Sequence, residues 1–554
     1  MAEPLRTAAF RAEPDAYDIA RPQLMGRQSA GHGFLRAAVA ARAGGPLYAY
    51  TPVASSVEAV AAIVRGIDPA AGLQWFPHDA MGRLSEPGVL YLGDPMLGSF
   101  ARQRLRVGPA AFSLCGVTHT TATTSTMDGI AGLLSEPVMP WDALICTTQA
   151  VLDTVNVVLD AQADYLRWRL GEGVALQRPE LPVIPLGVHC DDFQFTAADR
   201  AEAREAMALA DDEVAALFVG RLIFHGKAHP HAMFRGLQAA AERTGKRVAL
   251  ILCGWFPNEH IEAAFRDGAA QFAPSVRTLV VEGRDDVARN RAWAGSDLFV
   301  SLSDSIQETF GLTPVEAMAA GLPCVVTDYN GYKNTVRDGV DGFRVRTWAP
   351  SPGMGQPITR AFESGALPYD LYGWAAAAST AVDGDELAAR LTALVADADL
   401  RRTLGEAGRR RAREVFDWAV VYRQYQALWG ELNARRLAAL EDPAWIERLR
   451  GAPGATASRL DPFVAFGHYP SALIVPQTRL TAAPESSPEA LGGLLAHGLF
   501  GQLSIKTPHL LAVLAHTGGG GATLREVATA LGEPDAVIAR AAGLLAKMGM
   551  IRLS

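Results

Sequence analysis

Two carboxylates, Glu308 and Glu316, stand with seven residues between them, and a Gly-Leu pair and a helix start fill the gap. Upstream, Arg221 and Lys227 follow the apolar run Val214 to Val219 through Gly220. An arginine fork and a lysine point charge at a strand end suit an anion that gains charge as a bond breaks, such as a diphosphate. Carboxylates beside them suit hydroxyl groups. These residue types at this spacing fit a cradle for phosphate and sugar.

The elements that must hold them are legible locally. Asp297 to Leu302 reads as a short buried strand. Thr313, Pro314 and Glu316 read as an N-cap, a first helical position and a capping-box glutamate. Gly321 and Pro323 end that helix, and Cys324 to Thr327 is the next strand. Gly311 and Leu312 then sit at a helix N-terminus whose free amides and dipole suit an anion. Plainer readings exist: Glu316 as only a capping residue, Glu308 as a solvated loop carboxylate, Arg221 and Lys227 as surface cations.

The density of matches decides between them. Glu308-Thr309-Phe310-Gly311-Leu312, Glu316-Ala317-Met318-Ala319-Ala320-Gly321-Leu322-Pro323, Gly331, Asp338-Gly339 and Gly342-Phe343 together resemble the retaining family 4 glycosyltransferases of the GT-B fold (glycosyl transferases group 1). The resemblance runs from near the N-terminus to about residue 435. It implies that Arg221 and Lys227 stabilise a leaving nucleoside diphosphate, that Glu308 holds sugar hydroxyls and that Glu316 holds the ribose. It implies a donor site of Gly31, Gly33, Gly220, Arg221, Lys227, Gly283, Arg284, Glu308, Phe310, Gly311, Leu312, Thr313 and Glu316. His119, Glu308, Arg221 and Lys227 are the expected catalytic set, with His119 near the donor sugar. The family has Gly after the lysine; here Ala228 follows and Gly226 precedes.

The resemblance also implies retention at the anomeric carbon, with the diphosphate helping to take the acceptor proton. No Asp-x-Asp pair stands in a strand-end loop, since Asp285-Asp286 is adjacent, so a metal-independent reaction is expected. No cofactor is expected beyond a nucleotide-diphosphate sugar as co-substrate, with UDP or GDP ahead of ADP. The acceptor is a hydroxyl on a glycan, glycolipid, protein or small molecule. A catalytically silent scaffold or regulator, acting through the C-terminal module, is the rival reading. An epimerase or phosphorylase of the same fold fits the motifs less well.

Strand-like runs (Leu47 to Tyr50, Val89 to Leu92, Ala111 to Leu114, Ala143 to Cys146) alternate with helical ones (Ser56 to Arg65, Gln149 to Leu170). The alternation restarts at Ala210. It predicts an α/β chain of two doubly wound Rossmann-like domains facing a cleft. The expected boundaries are 1–190 (acceptor side), 191–415 (donor side), 416–437 (a helix crossing back) and 438–554 (linker and accessory module). Gly26, Gly31 and Gly33 read as a glycine-rich loop before a helix from Phe34 to Arg42. The arginines of Ala388 to Glu414 read as a solvated helix face, with an anionic membrane surface as the alternative. The 346–375 insertion, with Trp348, Phe362, Tyr369 and Tyr372, is expected to shape the acceptor side. The tail reads as three helices and a short strand, weakly winged-helix-like, with an oligomerisation or partner role preferred over DNA binding.

Hydrophobic residues make up 49% of the chain and charged residues 20%, so the chain is globular. A net charge of −8 argues against a nucleic-acid partner. The five cysteines are scattered, with no zinc or disulfide spacing, which fits a reducing cytoplasm. The N-terminal run lacks the apolar core of a secretory signal, and no run of about 18 apolar residues occurs. A cytoplasmic protein is expected, with peripheral contact at the inner membrane face left open.

Overall fold

The structure, a computed structural model, describes residues 7–20, 26–500 and 505–554. The first residues of the N-terminal run read above lie outside them. The chain divides into two compact units, Met1–Thr456 and Ala457–Ser554.

The first unit holds two six-stranded sheets, parallel throughout. One is built from β1 (Ala9–Arg11), β2 (Leu47–Tyr50), β3 (Leu73–Phe76), β4 (Val89–Tyr91), β5 (Ser113–Val117) and β6 (Ala143–Ile145), in the order β3-β2-β1-β4-β5-β6. The other is built from β7 (Val214–Val219), β8 (Val248–Gly254), β9 (Val276–Glu282), β10 (Leu298–Ser301), β11 (Cys324–Thr327) and β12 (Gly342–Val345), in the order β12-β11-β10-β7-β8-β9. Every residue of β7 and β8 is buried, which is why these strands read as continuous apolar runs: helices cover both faces. Strand order reverses between β1 and β4 in one sheet and between β7 and β10 in the other. Loops leaving those strands splay apart and form a crevice, where ligands of doubly wound sheets bind. This is the two-lobed GT-B arrangement.

Helix Trp418–Glu441 ties the lobes together. Its start pairs with the strand-like segment at Val188 (Trp418 N to Val188 O, 3.1 Å), and Ser113 Oγ donates to Leu432 O at 3.3 Å. Phe34, Tyr91, Trp418, Tyr422, Tyr425 and Trp429 pack ring against ring beneath it. The first unit runs past residue 437 because Trp445, on helix Pro443–Arg450, packs edge-on against Trp141 at 5.2 Å.

Several local readings shift. β5 begins at Ser113 rather than Ala111. Ala388 to Glu414 contains parts of two helices, Gly384–Ala396 and Ala398–Arg411, because Asp397 caps the second by accepting from the amides of Asp399 and Leu400. Its arginines are largely engaged: Arg401 binds Leu394 O, Arg409 binds Ala320 O, and Arg411 binds Thr335 O and Asn334 O. They clamp carbonyls that helix and turn ends leave open. The insertion after β12 is ordered: strands Thr347–Trp348 and Ala381–Val382 pair antiparallel and frame helices Gln356–Glu363 and Tyr369–Ala378. All five cysteines are buried and unpaired. Among the described residues no helix is long and apolar enough to cross a membrane.

The second unit has its own core. Strand Arg479–Ala482 pairs with Ala522–Thr523 and Ile551–Leu553, and helices Thr507–Ala515, Leu524–Leu531 and Asp535–Lys547 cover the sheet. Thr523 and Glu526 form a full capping box. Part of the expected linker from Thr481 is thus strand.

Candidate functional site

Three glycines shape the end of the second sheet. Gly220 follows β7 at φ +152°, Gly254 closes β8 and Gly283 follows β9. A Cβ on Gly254 would lie 1.9 Å from the Gly220 carbonyl oxygen, and one on Gly283 would lie 2.8 Å from the Gly254 Cα. The backbones therefore touch, and no side chain fills the sheet edge where Arg221 emerges. Gly254 is a member that the sequence reading missed, though a strand ending in glycine was visible.

From this edge the β7 loop carries Lys227 to Glu308, in the loop after β10, and the two form an ion pair. Burial pushes the Lys227 pKa down, but the Glu308 carboxylate outweighs it and the net shift is upward. Burial likewise pushes Glu308 up, and Lys227 with the amides of Phe310 and Gly311 brings it below its usual value. Both stay charged, so neither is a proton shuttle. The Gly311 amide, expected to face a ligand anion, thus holds Glu308 itself. The Arg221 guanidinium has no ion-pair partner among the described residues and adds a second positive charge beside Lys227.

Thr313 is not the N-cap. Helix Leu312–Ala320 starts two residues earlier, on Gly311 at φ +89°, whose Cβ would lie 2.2 Å from the Tyr332 ring. Tyr332 in turn shares a 2.9 Å hydrogen bond with Ser301. Left-handed backbone and a ring in contact leave only glycine at 311. Glu316 therefore points from the second turn rather than closing a box. Burial raises its pKa to about 7, with Arg289 and Lys227 pulling the other way.

Arg284 is exposed and gripped by Glu282 (2.7 Å), so the structure does not bring it to the carboxylates. Arg289, on helix Asp286–Gly295, is the arginine whose charge reaches Glu316, and it donates to Gly283 O at 2.9 Å. No sequence signal marked it.

The other lobe presents His119, just past β5. Burial lowers its pKa to about 4, with Asp94 opposing, so the imidazole is neutral at ordinary pH and hydrogen-bonds the Gly93 backbone. Thr309 Oγ1 donates to His119 O at 2.9 Å, and Thr148 Oγ1 donates to Thr309 O at 2.9 Å. His119 and Glu308 thus flank one cleft.

Gly31 and Gly33 do not form a loop. They lie inside helix Gly26–Ala41. A Cβ at 31 would meet Ala16 O at 2.1 Å, and one at 33 would meet Trp418 Nε1 at 2.4 Å. Their missing side chains let the helix pack closely, and this accounts for both without a phosphate. Gly31 still lines a small cavity with Arg27, Gly93 and His119.

Residues 199–349 match the family model described as glycosyl transferases group 1. That stretch carries β7 to β12 and every charged residue of the cleft floor. A D-inositol 3-phosphate glycosyltransferase of Actinosynnema mirum is 30% identical over 239 residues, covering 41% of this chain and 54% of the relative. An alpha-maltose-1-phosphate synthase of Mycolicibacterium smegmatis is 29% identical over 221 residues, covering 39% of this chain and 48% of the relative. The chain spans about half the length of these curated relatives. Among solved structures, Anabaena HepE in complex with UDP and glucose is 15% identical, covers 77% of this chain and 100% of its own, and has a TM-score of 0.48.

Proposed function

We propose that this chain is a retaining, metal-independent glycosyltransferase of the family 4 type. It moves a hexose-type sugar from a UDP- or GDP-linked donor to a hydroxyl acceptor. The observation that carries this reading is the Lys227–Glu308 pair beside Arg221, at the point where strand order reverses. An incoming diphosphate meets two cations, and the sugar it carries meets Glu308. The names of the relatives, each a sugar transfer or synthesis, support the same reaction class.

In the mechanism, Arg221 and Lys227 offset the charge that grows on the leaving diphosphate. Glu308, fixed by Lys227 and two amides, accepts sugar hydroxyls and is poorly placed to attack. Neutral His119 offers a hydrogen bond from the opposite lobe. The acceptor hydroxyl approaches on the face the nucleotide leaves, and a diphosphate oxygen takes its proton. Glu316 accepts the ribose hydroxyls, and Arg289 limits the charge it leaves buried. Five buried free cysteines fit a cytoplasmic location. The second unit, whose elements from Thr507 run helix–strand–helix–helix–strand as in a winged-helix module, serves a partner or oligomer contact.

The test is a thermal-shift panel of UDP-, GDP- and ADP-linked sugars, with and without EDTA, on wild type and Lys227→Ala. One donor should stabilise the wild type, EDTA should not matter, and the variant should lose the shift. A folded chain that no donor stabilises would move the reading to a silent scaffold.

A further inference from the structure

Loop 220–230 joins β7 to helix His231–Thr244 and carries Lys227. The Leu222 amide ties it to Trp255 O at 3.0 Å, and the His229 amide ties it to Asp304 Oδ2 at 3.4 Å. Between those ties stand Phe224, His225 and Lys227. A lysine stem is flexible, so the place of its ammonium depends on how firmly the backbone beneath it is held. The insertion after β12 supplies such a hold. Trp374, on helix Tyr369–Ala378, sets its ring 6.1 Å from Phe224, 6.5 Å from His225 and 6.3 Å from His229, the last pair stacked at 21°. Phe224 also stacks on Phe265 of helix Glu259–Phe272 at 6.5 Å, so the lobe holds the loop as well.

The same helix reaches the loop of the other ion-pair partner. A Cβ on Gly373 would meet Gln307 Nε2 at 3.5 Å, and Gln307 adjoins Glu308. Phe362 and Tyr372 stack at 4.4 Å and join the two insertion helices, so Trp374 stands on a braced support. Adjacent positions 373 and 374 thus pack on the two loops that bring Lys227 and Glu308 together. We propose that Trp374 is a positioning residue for Lys227: its ring, lodged against Phe224, His225 and His229, holds the loop so that the ammonium stays beside Glu308 and meets the donor diphosphate. This deepens the glycosyltransferase reading and rests on it. Trp374 itself touches no substrate and acts through the lysine.

The first readout is a double-mutant cycle in urea denaturation. Lys227→Ala in the wild type strands the Glu308 charge. In Trp374→Ala the lysine is no longer held on its partner, so the same substitution should raise the unfolding constant about five-fold less. A ring that only filled space would leave the two changes additive. The second readout is calorimetric affinity for UDP, GDP and ADP. Whichever binds the wild type should bind Trp374→Ala about five-fold more weakly, and Trp374→Phe, which restores a ring, within about two-fold of the wild type. Trp374→Leu takes the place of Trp374→Ala in both readouts if the latter does not fold. Additive stability changes would overturn the proposal, as would a Trp374→Phe that binds no better than Trp374→Ala. A wild-type chain that binds none of the three overturns the functional reading, and this inference with it. A wild type that binds one, with Trp374→Ala its equal, overturns this inference alone.

Discussion

Thr309 Oγ1 donates to the carbonyl oxygen of His119 at 2.9 Å, joining residues 190 positions apart in the chain. Thr309 is 6% exposed and stands between Glu308 and Phe310, so the contact links the lobes at the site itself. Thr309→Val removes the donor and leaves the His119 carbonyl short of a partner. Donor cleavage should fall by about five- to ten-fold, the range for one hydrogen bond beside the reacting sugar. Thr309→Ser should keep most of the wild-type rate, and single-turnover kinetics on both variants checks this.

The Lys227–Glu308 pair couples stability to binding. Its side chains are 23% and 14% exposed. Lys227→Ala leaves Glu308 with only backbone donors, which should cost about 2 kcal/mol of stability. Adding Glu308→Gln should restore most of that loss, because the unpaired charge is gone. Neither variant should bind a nucleotide-sugar. Urea denaturation alongside calorimetry separates the two effects.

The Glu316 carboxyl sets a pH dependence. Its folded pKa of about 7 lies above the reference value of 4.5. Between those values the folded chain holds a proton that the unfolded chain has released. Stability is therefore greatest at the acid end of that window, falls as pH rises, and levels off above about 7. Asp304, also raised to about 7 by burial, adds a fall of the same sign. Glu316→Gln should flatten part of the slope. Nucleotide affinity should run the other way in the wild type, rising as Glu316 ionises and can accept the ribose hydroxyls. Denaturation and binding curves at a series of pH values test both slopes.

The glycine contacts at the sheet edge predict a steric effect. In Gly254→Ala the new methyl would sit 1.9 Å from the Gly220 carbonyl oxygen, a backbone atom that cannot swing aside. The strand end must shift, costing about 2–3 kcal/mol. Because Gly220 leads directly into Arg221, nucleotide affinity should fall as well. Thermal melting and calorimetry of this one variant would show both.

Much of this was legible in the sequence because it is local. β7 and β11 are continuous buried runs, and the reading placed both to the residue. Arg221, Lys227, Glu308 and Glu316 sit close in sequence to strand ends and so were found together. What failed depended on long-range contacts. Gly31 and Gly33 looked like a phosphate loop, yet Ala16 and Trp418, one of them on the far side of the chain, explain them. Thr313 lost its cap because Gly311, packed under the Tyr332 ring, takes the left-handed turn two residues earlier. Arg284 was named because it follows β9, and only the fold shows that Glu282 takes it while Arg289 reaches Glu316. Thr309 was not assigned as a bridge, since nothing local marks a side chain whose partner lies in another lobe.

The measurement closest to the central claim is the anomeric form of the sugar first released from the cleaved donor, followed by proton NMR in real time. A retaining transferase using water in place of its acceptor should release the α-anomer from an α-linked nucleotide-sugar, with Lys227→Ala releasing none. Release of the β-anomer, or cleavage that survives Lys227→Ala, would contradict the account.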